Sequence, residues 1–327
     1  MTEDQSKRHR YAARLNAFKA ALPPNRCDTP HLLAAAAGVG KLHAADLNFP
    51  DQVSVSNEAE VRAALQANDL QLNGIAMRYY GEAAFAIGAF TNPDPSVRRR
   101  AIDRTREAMD LGARLGAGQV TLWMGQDGFD YPFQMDYARA WDDTISAMAE
   151  VADHNREMDV AIEYKPNDPR AFSLMPDVGT TLLAVRELDR PNVGVTLDFA
   201  HVLYADEMPA CAVLLVARNS RLLGVHLNDG YGRRDDGLMV GTVHPVATVE
   251  FFLELDRIGY DGVIYFDTFP DHSGLDPVEE VRTNIRMAER FRAVAGVLRG
   301  NRDLAEAVAR QDAALSQRIV ARALYGE

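Results

Sequence analysis

The 327-residue sequence predicts an α/β fold, a (β/α)8 TIM barrel followed by a C-terminal helical extension. Short apolar runs alternate with helical periodicity along almost the whole chain, the pattern of repeated βα units around a parallel sheet. Four of the runs end in an acidic residue or a histidine, roughly 30 to 40 residues apart, as expected where barrel strands converge at one mouth. No low-complexity tract or long linker divides the chain, so we expect a barrel over residues 1–298 and an extension over 299–327.

Eight strands are predicted from runs that are too short for helices. Amphipathic helices fill the intervals, and the clearest covers residues 96–115, where Ser96 is the predicted N-cap and Gly116 ends the helix. Helical patterns at 278–298 and 302–325 exceed what closure of the barrel requires. The predicted strands cover residues 11–18, 40–45, 74–79, 119–123, 160–163, 193–198, 222–227 and 263–267.

Charge and cysteine content limit the classes of function. The net charge of −12 argues against a nucleic-acid partner, which needs a basic face to neutralise its phosphates. The N-terminus shows no apolar signal segment and no apolar run reaches the length of a membrane helix, so we expect neither export nor membrane association. Two cysteines, Cys27 and Cys211, lack the spacing of a disulfide framework or a metal site, which favours a cytoplasmic protein.

The last four predicted strands each end in a side chain that can bind a metal ion. Because the carboxyl ends of barrel strands point into a common site, these side chains are expected to converge. Three carboxylates and one imidazole suit a hard divalent cation such as Mg²⁺ or Mn²⁺, with Co²⁺ also tolerated. The predicted ligands are Glu163, Asp198, His226 and Asp267.

A second set of metal-binding side chains lies near the first in sequence. His201 follows Asp198 by three residues, and Asp235 and Asp236 lie in the loop after His226. Asp198 could therefore bridge two ions, which would polarise two substrate oxygens at once. We place Asp235 at this second site and assign the adjacent Asp236 to substrate binding.

Five further side chains are candidates for catalysis or substrate contact. Lys165 lies two residues after the ligand on its strand, so alternation places its ammonium on the same side, where it can stabilise negative charge on a substrate oxygen. His43 and Asp46 are close enough in sequence for a carboxylate to fix the tautomer of an imidazole acid or base. Trp123 and Phe90 can form apolar walls of the pocket or pack in the core.

Several segments resemble one family. They include Ala161-Ile-Glu-Tyr-Lys-Pro-Asn-Asp-Pro-Arg170, Leu122-Trp-Met-Gly125 and Asn284-Ile-Arg-Met287, in the correct order along the chain. The sequence resembles xylose isomerase and its barrel relatives, including the L-rhamnose isomerase type, over about residues 32–295.

The resemblance implies two metals. The four strand-end ligands would hold a structural, substrate-binding metal, and Asp198, His201 and Asp235 would hold a mobile catalytic metal. The combination of Asp198 with His226, where xylose isomerases carry Glu and Asp, is more similar to the L-rhamnose isomerase branch. Gly237 departs from the family's Asp-x-Asp pattern in the loop of the second set.

The resemblance also implies roles for the remaining candidates. His43 and Asp46 fall where the family keeps its ring-opening histidine and the carboxylate that orients it. Lys165 falls on the lysine that contacts the carbonyl oxygen, and Trp123 and Phe90 fall on the hydrophobic pocket.

The implied function is interconversion of a free aldose and its ketose by a metal-assisted hydride shift, without an organic cofactor, in a homo-oligomer, either a dimer or a tetramer. The lack of a glycine-rich phosphate loop favours an unphosphorylated sugar as substrate.

Two alternative functions stay open. One is a ketose 3-epimerase with one metal and two acid–base carboxylates, and the other is a metal-dependent lyase on an oxidised glycoside with His43 or His201 as base. A zinc endonuclease is disfavoured by the negative charge, and a non-catalytic sugar-binding barrel would be expected to lose its ligands.

Overall fold

Eight parallel strands form a nearly closed barrel with helices around it, which confirms the predicted (β/α)8 fold. The structure, a computed structural model, describes residues 10–326. Numbered β1 to β8 in chain order, the barrel strands are Arg10–Ala13, Ala44–Phe49, Gln71–Met77, Gln119–Trp123, Asp159–Glu163, Val193–Asp198, Leu222–Leu227 and Val263–Phe266.

Strands β4 to β8 lie within one residue of their predicted bounds, but the bounds predicted for β1, β2 and β3 are wrong, and β3 covers residues 71–77 instead of 74–79. β1 ends at Ala13, and the apolar residues that follow form the 3-10 helix Leu15–Ala21, where Leu15 and Phe18 are buried. β2 begins at Ala44, so most of the segment 40–45 precedes the strand. β2 carries polar residues on the face that lines the barrel mouth, and for this reason it lacks a continuous apolar run.

The strand order around the barrel is sequential and leaves one incomplete junction. β1 pairs with β8, and pairing continues through β7, β6, β5, β4 and β3 to β2. Between β1 and β2, which we call the seam, the backbone N–H of His43 donates to the carbonyl of Tyr11 at 2.9 Å. The N–H of Tyr11 lies 3.4 Å from the ring Nδ1 of His43. The seam therefore closes through the residue before β2 rather than through a strand ladder.

Eleven helices are found in the described residues, and their ends follow local sequence rules. α3 begins at Pro95 after the N-cap Asp94, whose carboxylate accepts from the N–H of Ser96, so the cap lies two residues before the predicted one. Gly116 ends the helix with a φ of 86°, as predicted. The helices α1 to α11 are Thr29–Ala37, Glu58–Ala67, Pro95–Leu115, Tyr137–His154, Val178–Leu188, Phe199–Tyr204, Pro209–Asn219, Pro245–Ile258, Pro277–Arg299, Arg302–Ala309 and Ala313–Tyr325.

The C-terminal extension consists of two helices, α10 and α11, where one helical pattern was expected. They separate at Gln311, which has a φ of 55°. Leu304 and Leu324 join the main hydrophobic core between the strands and the outer helices. The division of the chain into a barrel and a separate extension stays a prediction. No helix within residues 10–326 combines the length and apolarity needed to cross a bilayer.

Smaller elements surround the mouth of the barrel. The loops after β4 and β5 contribute an antiparallel ribbon of Gly128–Phe129 and Phe172–Ser173. The loop after β8 contains the 3-10 helix Pro270–His272, and the remaining short helices are Pro24–Arg26 and Ala83–Phe85.

Candidate metal centre

The structure brings four predicted ligands together at the carboxyl ends of β5 to β8. Glu163 and Asp198 are the last residues of their strands, His226 is the penultimate residue of β7, and Asp267 follows β8 directly. One potential ligand atom from each side chain lies within 4.8 Å of the corresponding atoms of the other three. The cluster can therefore hold a metal ion.

The Asn228 amide and the backbone N–H of His201 orient the Asp198 carboxylate. The Asn228 amide donates to Asp198 Oδ2 at 3.0 Å and to the Asp267 carbonyl at 3.0 Å. Its own oxygen accepts from the N–H of Ala200 at 2.8 Å, which leaves the amide little freedom to rotate. The N–H of His201 donates to Asp198 Oδ1 at 2.9 Å. Hydrogen-bonded carboxylates of this kind are typical of metal centres, where outer groups fix the ligands.

Burial and mutual repulsion make the protonation of the cluster unusual. Burial raises the pKa of Asp198 to about 7, despite the opposing effect of His201. Burial alone would lower the pKa of His226, but Glu163 and Asp267 outweigh it and raise this pKa to about 10. His226 Nδ1 lies 3.0 Å from Glu163 Oε1, so a protonated imidazole balances the carboxylates. A divalent cation bound by the four side chains would supply the same neutralisation, and the donor set fits such an ion.

The second predicted set forms a chain of contacts beside the first. His201 Nδ1 lies 3.1 Å from the Tyr164 carbonyl, and its Nε2 lies 3.1 Å from Asp235 Oδ2. Burial would lower the pKa of His201, but Asp198 and Asp235 raise it to about 9. The contact with the Tyr164 carbonyl fixes the imidazole so that Nε2 faces Asp235, an orientation in which both side chains could bind one metal ion.

Asp235 and Lys165 complete this second arrangement. Lys165 Nζ lies 3.3 Å from Asp235 Oδ2 and 5.4 Å from the centroid of the Trp123 ring. Burial would lower the pKa of Lys165, but Asp235 and Asp168 raise it, so the ammonium stays charged. Asp235 Oδ1 is buried and has no hydrogen-bond partner in the described part of the chain. An unpaired buried carboxylate oxygen is costly unless a ligand or ion completes it.

The other predicted contact residues occupy different places. Trp123 lines the cavity and meets the Tyr80 ring edge-on, with centroids 5.5 Å apart. Phe90 is fully buried in the core beside Tyr79 and does not line this cavity. Asp236 accepts from Arg234 Nε and from the N–H of Tyr231, both at 2.8 Å, and so organises the loop after β7.

His43 and Asp46 are not joined by a hydrogen bond. His43 precedes β2, is exposed at the seam and does not line the cavity, so it lies outside the place where its implied ring-opening role would require it. Asp46 lines the cavity, where both carboxylate oxygens accept from the Asn73 amide at 2.9 and 3.1 Å. Burial raises the pKa of Asp46 to about 6, against the effect of Asn73.

The match to a family model decides the assignment. Residues 33–291 match the family described as xylose isomerase-like TIM barrel. The chain belongs to this family.

A xylose isomerase of Thermus thermophilus is 33% identical over 249 residues, which are 72% of this chain and 64% of that protein. A xylose isomerase of Thermus caldophilus is 31% identical over 212 residues, 63% of this chain and 55% of that protein. The chain thus spans less than two thirds of these curated relatives.

Solved structures show the same xylose isomerase-like fold. A D-allulose 3-epimerase from Methylomonas sp. is similar with a TM-score of 0.68 and 18% identity, over 86% of this chain and 98% of that chain. A xylose isomerase domain protein from Alicyclobacillus acidocaldarius gives a TM-score of 0.66 and 20% identity, over 88% and 99% of the two chains. At these identities the likeness establishes the fold and not the reaction.

The prediction missed several residues on the other side of this xylose isomerase-like mouth. The cavity, of about 200 Å³, is also lined by Arg14, Asn48, Arg78 and Phe269. Arg14 and Arg78 each follow directly on a strand, so the strand-end rule would have found them if β1 and β3 had been placed correctly.

Proposed function

We propose that the chain is a divalent-metal-dependent isomerase that interconverts an unphosphorylated aldose and its ketose. The observation that carries the proposal is the convergence of the four-residue ligand cluster and the Lys165 ammonium on one cavity. Isomerisation transfers a hydride from C2 to C1 and a proton from O2 to O1 of the sugar. The reaction therefore balances within the substrate and needs no redox cofactor.

A cation of the Mn²⁺, Mg²⁺ or Co²⁺ type, held by the four ligands, would supply polarisation of the adjacent carbonyl and hydroxyl oxygens of the sugar. We extend the proposal to a second cation at Asp198, His201 and Asp235. The unpartnered Oδ1 of Asp235 and the fixed ring of His201 support this extension.

Lys165 is proposed to hold the substrate oxygen on which negative charge develops. Its side chain is only 7% exposed, and Asp235 and Asp168 hold the ammonium over the Trp123 ring. A charged donor fixed before the substrate arrives stabilises an oxyanion without reorganisation, and more strongly than in water. Trp123 would pack against the C–H face of the sugar and exclude water from the reacting carbons.

The test is turnover by the metal-stripped protein, with Mn²⁺, Co²⁺ or Mg²⁺ restored, on a panel of aldoses and ketoses in D₂O. Products are analysed by NMR after the metal has been removed. The proposal expects metal-dependent aldose–ketose conversion with little deuterium on carbon, because a hydride shift does not exchange with solvent. Epimerisation at C3 with deuterium uptake would replace the isomerase by an epimerase, and cleavage of an oxidised glycoside would replace it by a lyase.

A further inference from the structure

The half of the mouth formed by β1 to β4 carries two arginines. The ligands come from β5 to β8, whereas Arg14 follows β1, Asn48 lies on β2 and Arg78 follows β3. These three side chains line the same cavity as Glu163 and Lys165. If C1 and C2 of a substrate lie at the ligand cluster, as the proposed function requires, the far end of the sugar faces Arg14, Asn48 and Arg78, which we call the distal wall.

Arg78 is held in place but is not neutralised. Its Nε donates to Asn48 Oδ1 at 3.0 Å, and its guanidinium lies 5.6 Å from the centroid of the Tyr80 ring. Arg78 forms no ion pair with a described residue, although its charge acts on Glu163 over a longer distance, and no hydrogen bond of its two terminal nitrogens is found in residues 10–326. A positioned guanidinium with two free nitrogens presents the fork that binds a carboxylate through two parallel hydrogen bonds.

Arg14 adds a second positive charge to the distal wall. Its Nη1 donates to Asp271 at 2.7 Å, and its guanidinium lies 4.9 Å from the Phe269 ring centroid. The salt bridge and the ring fix the orientation of this side chain, which lines the cavity and also interacts electrostatically with Asp267.

The free polar atoms of the distal wall are donors. Guanidinium groups have no acceptor, and the side-chain oxygen of Asn48 already accepts one hydrogen bond, from Arg78. The hydroxyl groups of a neutral sugar tail need acceptors for their own protons, and the two arginines supply none. The Asp46 carboxylate also lines the cavity, but both of its oxygens already accept from the Asn73 amide. A carboxylate has only acceptors, so its oxygens match the distal wall in both charge and hydrogen bonding.

We infer that the substrate is a sugar acid, an aldose with a carboxylate at the end distant from C1, and that Arg78 binds this carboxylate. The inference rests on the proposed function for the placement of C1 and C2. A phosphate at the same end of the sugar is also an anion that accepts hydrogen bonds, and the experiment distinguishes a carboxylate from a phosphate.

The experiment compares metal-loaded wild type with Arg78→Gln and Arg78→Lys on matched sugars. Each hexuronate, such as glucuronate or galacturonate, is paired with the hexose of the same configuration and with its 6-phosphate. The wild type should prefer a hexuronate over its hexose by about 10- to 100-fold in kcat/KM, the range of a charge-assisted hydrogen bond pair. Arg78→Gln should abolish this preference, mainly through KM, and Arg78→Lys should retain part of it. Arg257→Gln, an exposed arginine of α8 paired with Glu254, is the matched control.

Calorimetric titration of hexuronate and hexose into the same proteins gives a readout that does not depend on turnover. Tighter hexuronate binding that is lost in Arg78→Gln supports the inference even if no sugar is isomerised, in which case the proposed function alone fails. Turnover of neutral hexoses that exceeds that of hexuronates, or an equal loss on both in Arg78→Gln, overturns the inference and leaves the isomerase in place. Preference for the 6-phosphates overturns the assignment of a carboxylate.

Discussion

The two halves of the barrel mouth differ in charge and in the way their side chains are held. The half formed by β5 to β8 places three carboxylates and a histidine within 4.8 Å of one another. The half formed by β1 to β4 contributes Arg14 and Arg78, whose fixed nitrogens donate to Asp271 and Asn48. The first half concentrates negative charge, whereas the second combines two guanidinium groups with the Asp46 carboxylate. The proposed isomerase would bind its cation at the first half and the far end of its sugar at the second.

The largest expected effect tests whether the four side chains at the ends of β5 to β8 bind one metal ion. Asp198→Asn removes charge from the centre of the cluster while keeping the size of the side chain, so bound metal should be lost and turnover should fall on the order of 1000-fold. Metal content by plasma mass spectrometry, turnover and circular dichroism measure the change. Asp142→Asn, at an exposed position of α4, is the control. Full activity of Asp198→Asn reloaded with Mn²⁺ would show that the cluster is not the metal centre.

A smaller effect separates metal binding from charge stabilisation. Lys165→Met should lower turnover about 100-fold, because one preorganised donor to an oxyanion is lost, while bound metal stays near the wild-type level. Turnover and metal content are measured on the same preparations, with the exposed Lys41→Met as the control. A parallel fall in metal content would mean that Lys165 holds the metal ligands in place instead of stabilising charge on the substrate.

The next prediction concerns the group that orients the ligands. Asn228→Ala removes the donor to Asp198 and to the Asp267 carbonyl, so metal affinity should fall about 10- to 100-fold without loss of the fold. A chelator competition titration measures the affinity. Asn219→Ala, an asparagine at the exposed end of α7, should bind metal like the wild type. An unchanged affinity in Asn228→Ala would mean that the strands alone fix the ligands.

The smallest effect concerns Asp46, a buried carboxylate that lines the cavity. Because the pKa of Asp46 is raised to about 6 in the folded protein, its contribution to stability is present below its unfolded pKa and is lost as pH rises through about 6. Asp46→Asn should therefore stabilise the metal-free protein by about 1 to 2 kcal/mol at pH 8 and by little at pH 4. Urea unfolding at both pH values measures the difference, with Asp142→Asn as the control. Equal effects at both pH values would contradict the burial of this charge.

The two halves also differ in how well the sequence predicts them. β5 to β8 are apolar runs that stop at a polar residue, because both faces of these strands are buried up to the mouth. Their bounds and the meeting of Glu163, Asp198 and His226 could therefore be predicted. β2 carries Asp46 and Asn48 within the strand, and β3 includes Asn73. Inward polar residues interrupt the apolar pattern, and strand placement failed there.

The misplaced strands explain why two residues lie at other positions than expected. His43 was expected at a strand of residues 40–45, but it lies before β2, at the opposite end from the ligands. Arg78 was expected inside a strand of residues 74–79, but it follows the last residue of β3 and reaches the mouth. Phe90 illustrates a different limit, because an aromatic side chain in the core and one in a pocket wall look the same in sequence.

The seam is the junction of the described barrel at which no strand ladder fixes the distance between neighbours. Every other neighbouring pair of strands is joined by a ladder, whereas β1 and β2 meet through the backbone of His43. Side chains complete this junction, since Gln52 Nε2 donates to Asn16 Oδ1 at 3.2 Å between the segments that follow the two strands. The spacing of the metal ligands is thus fixed by continuous backbone ladders, whereas the spacing of Arg14 from Asn48 and Arg78 depends on side chains.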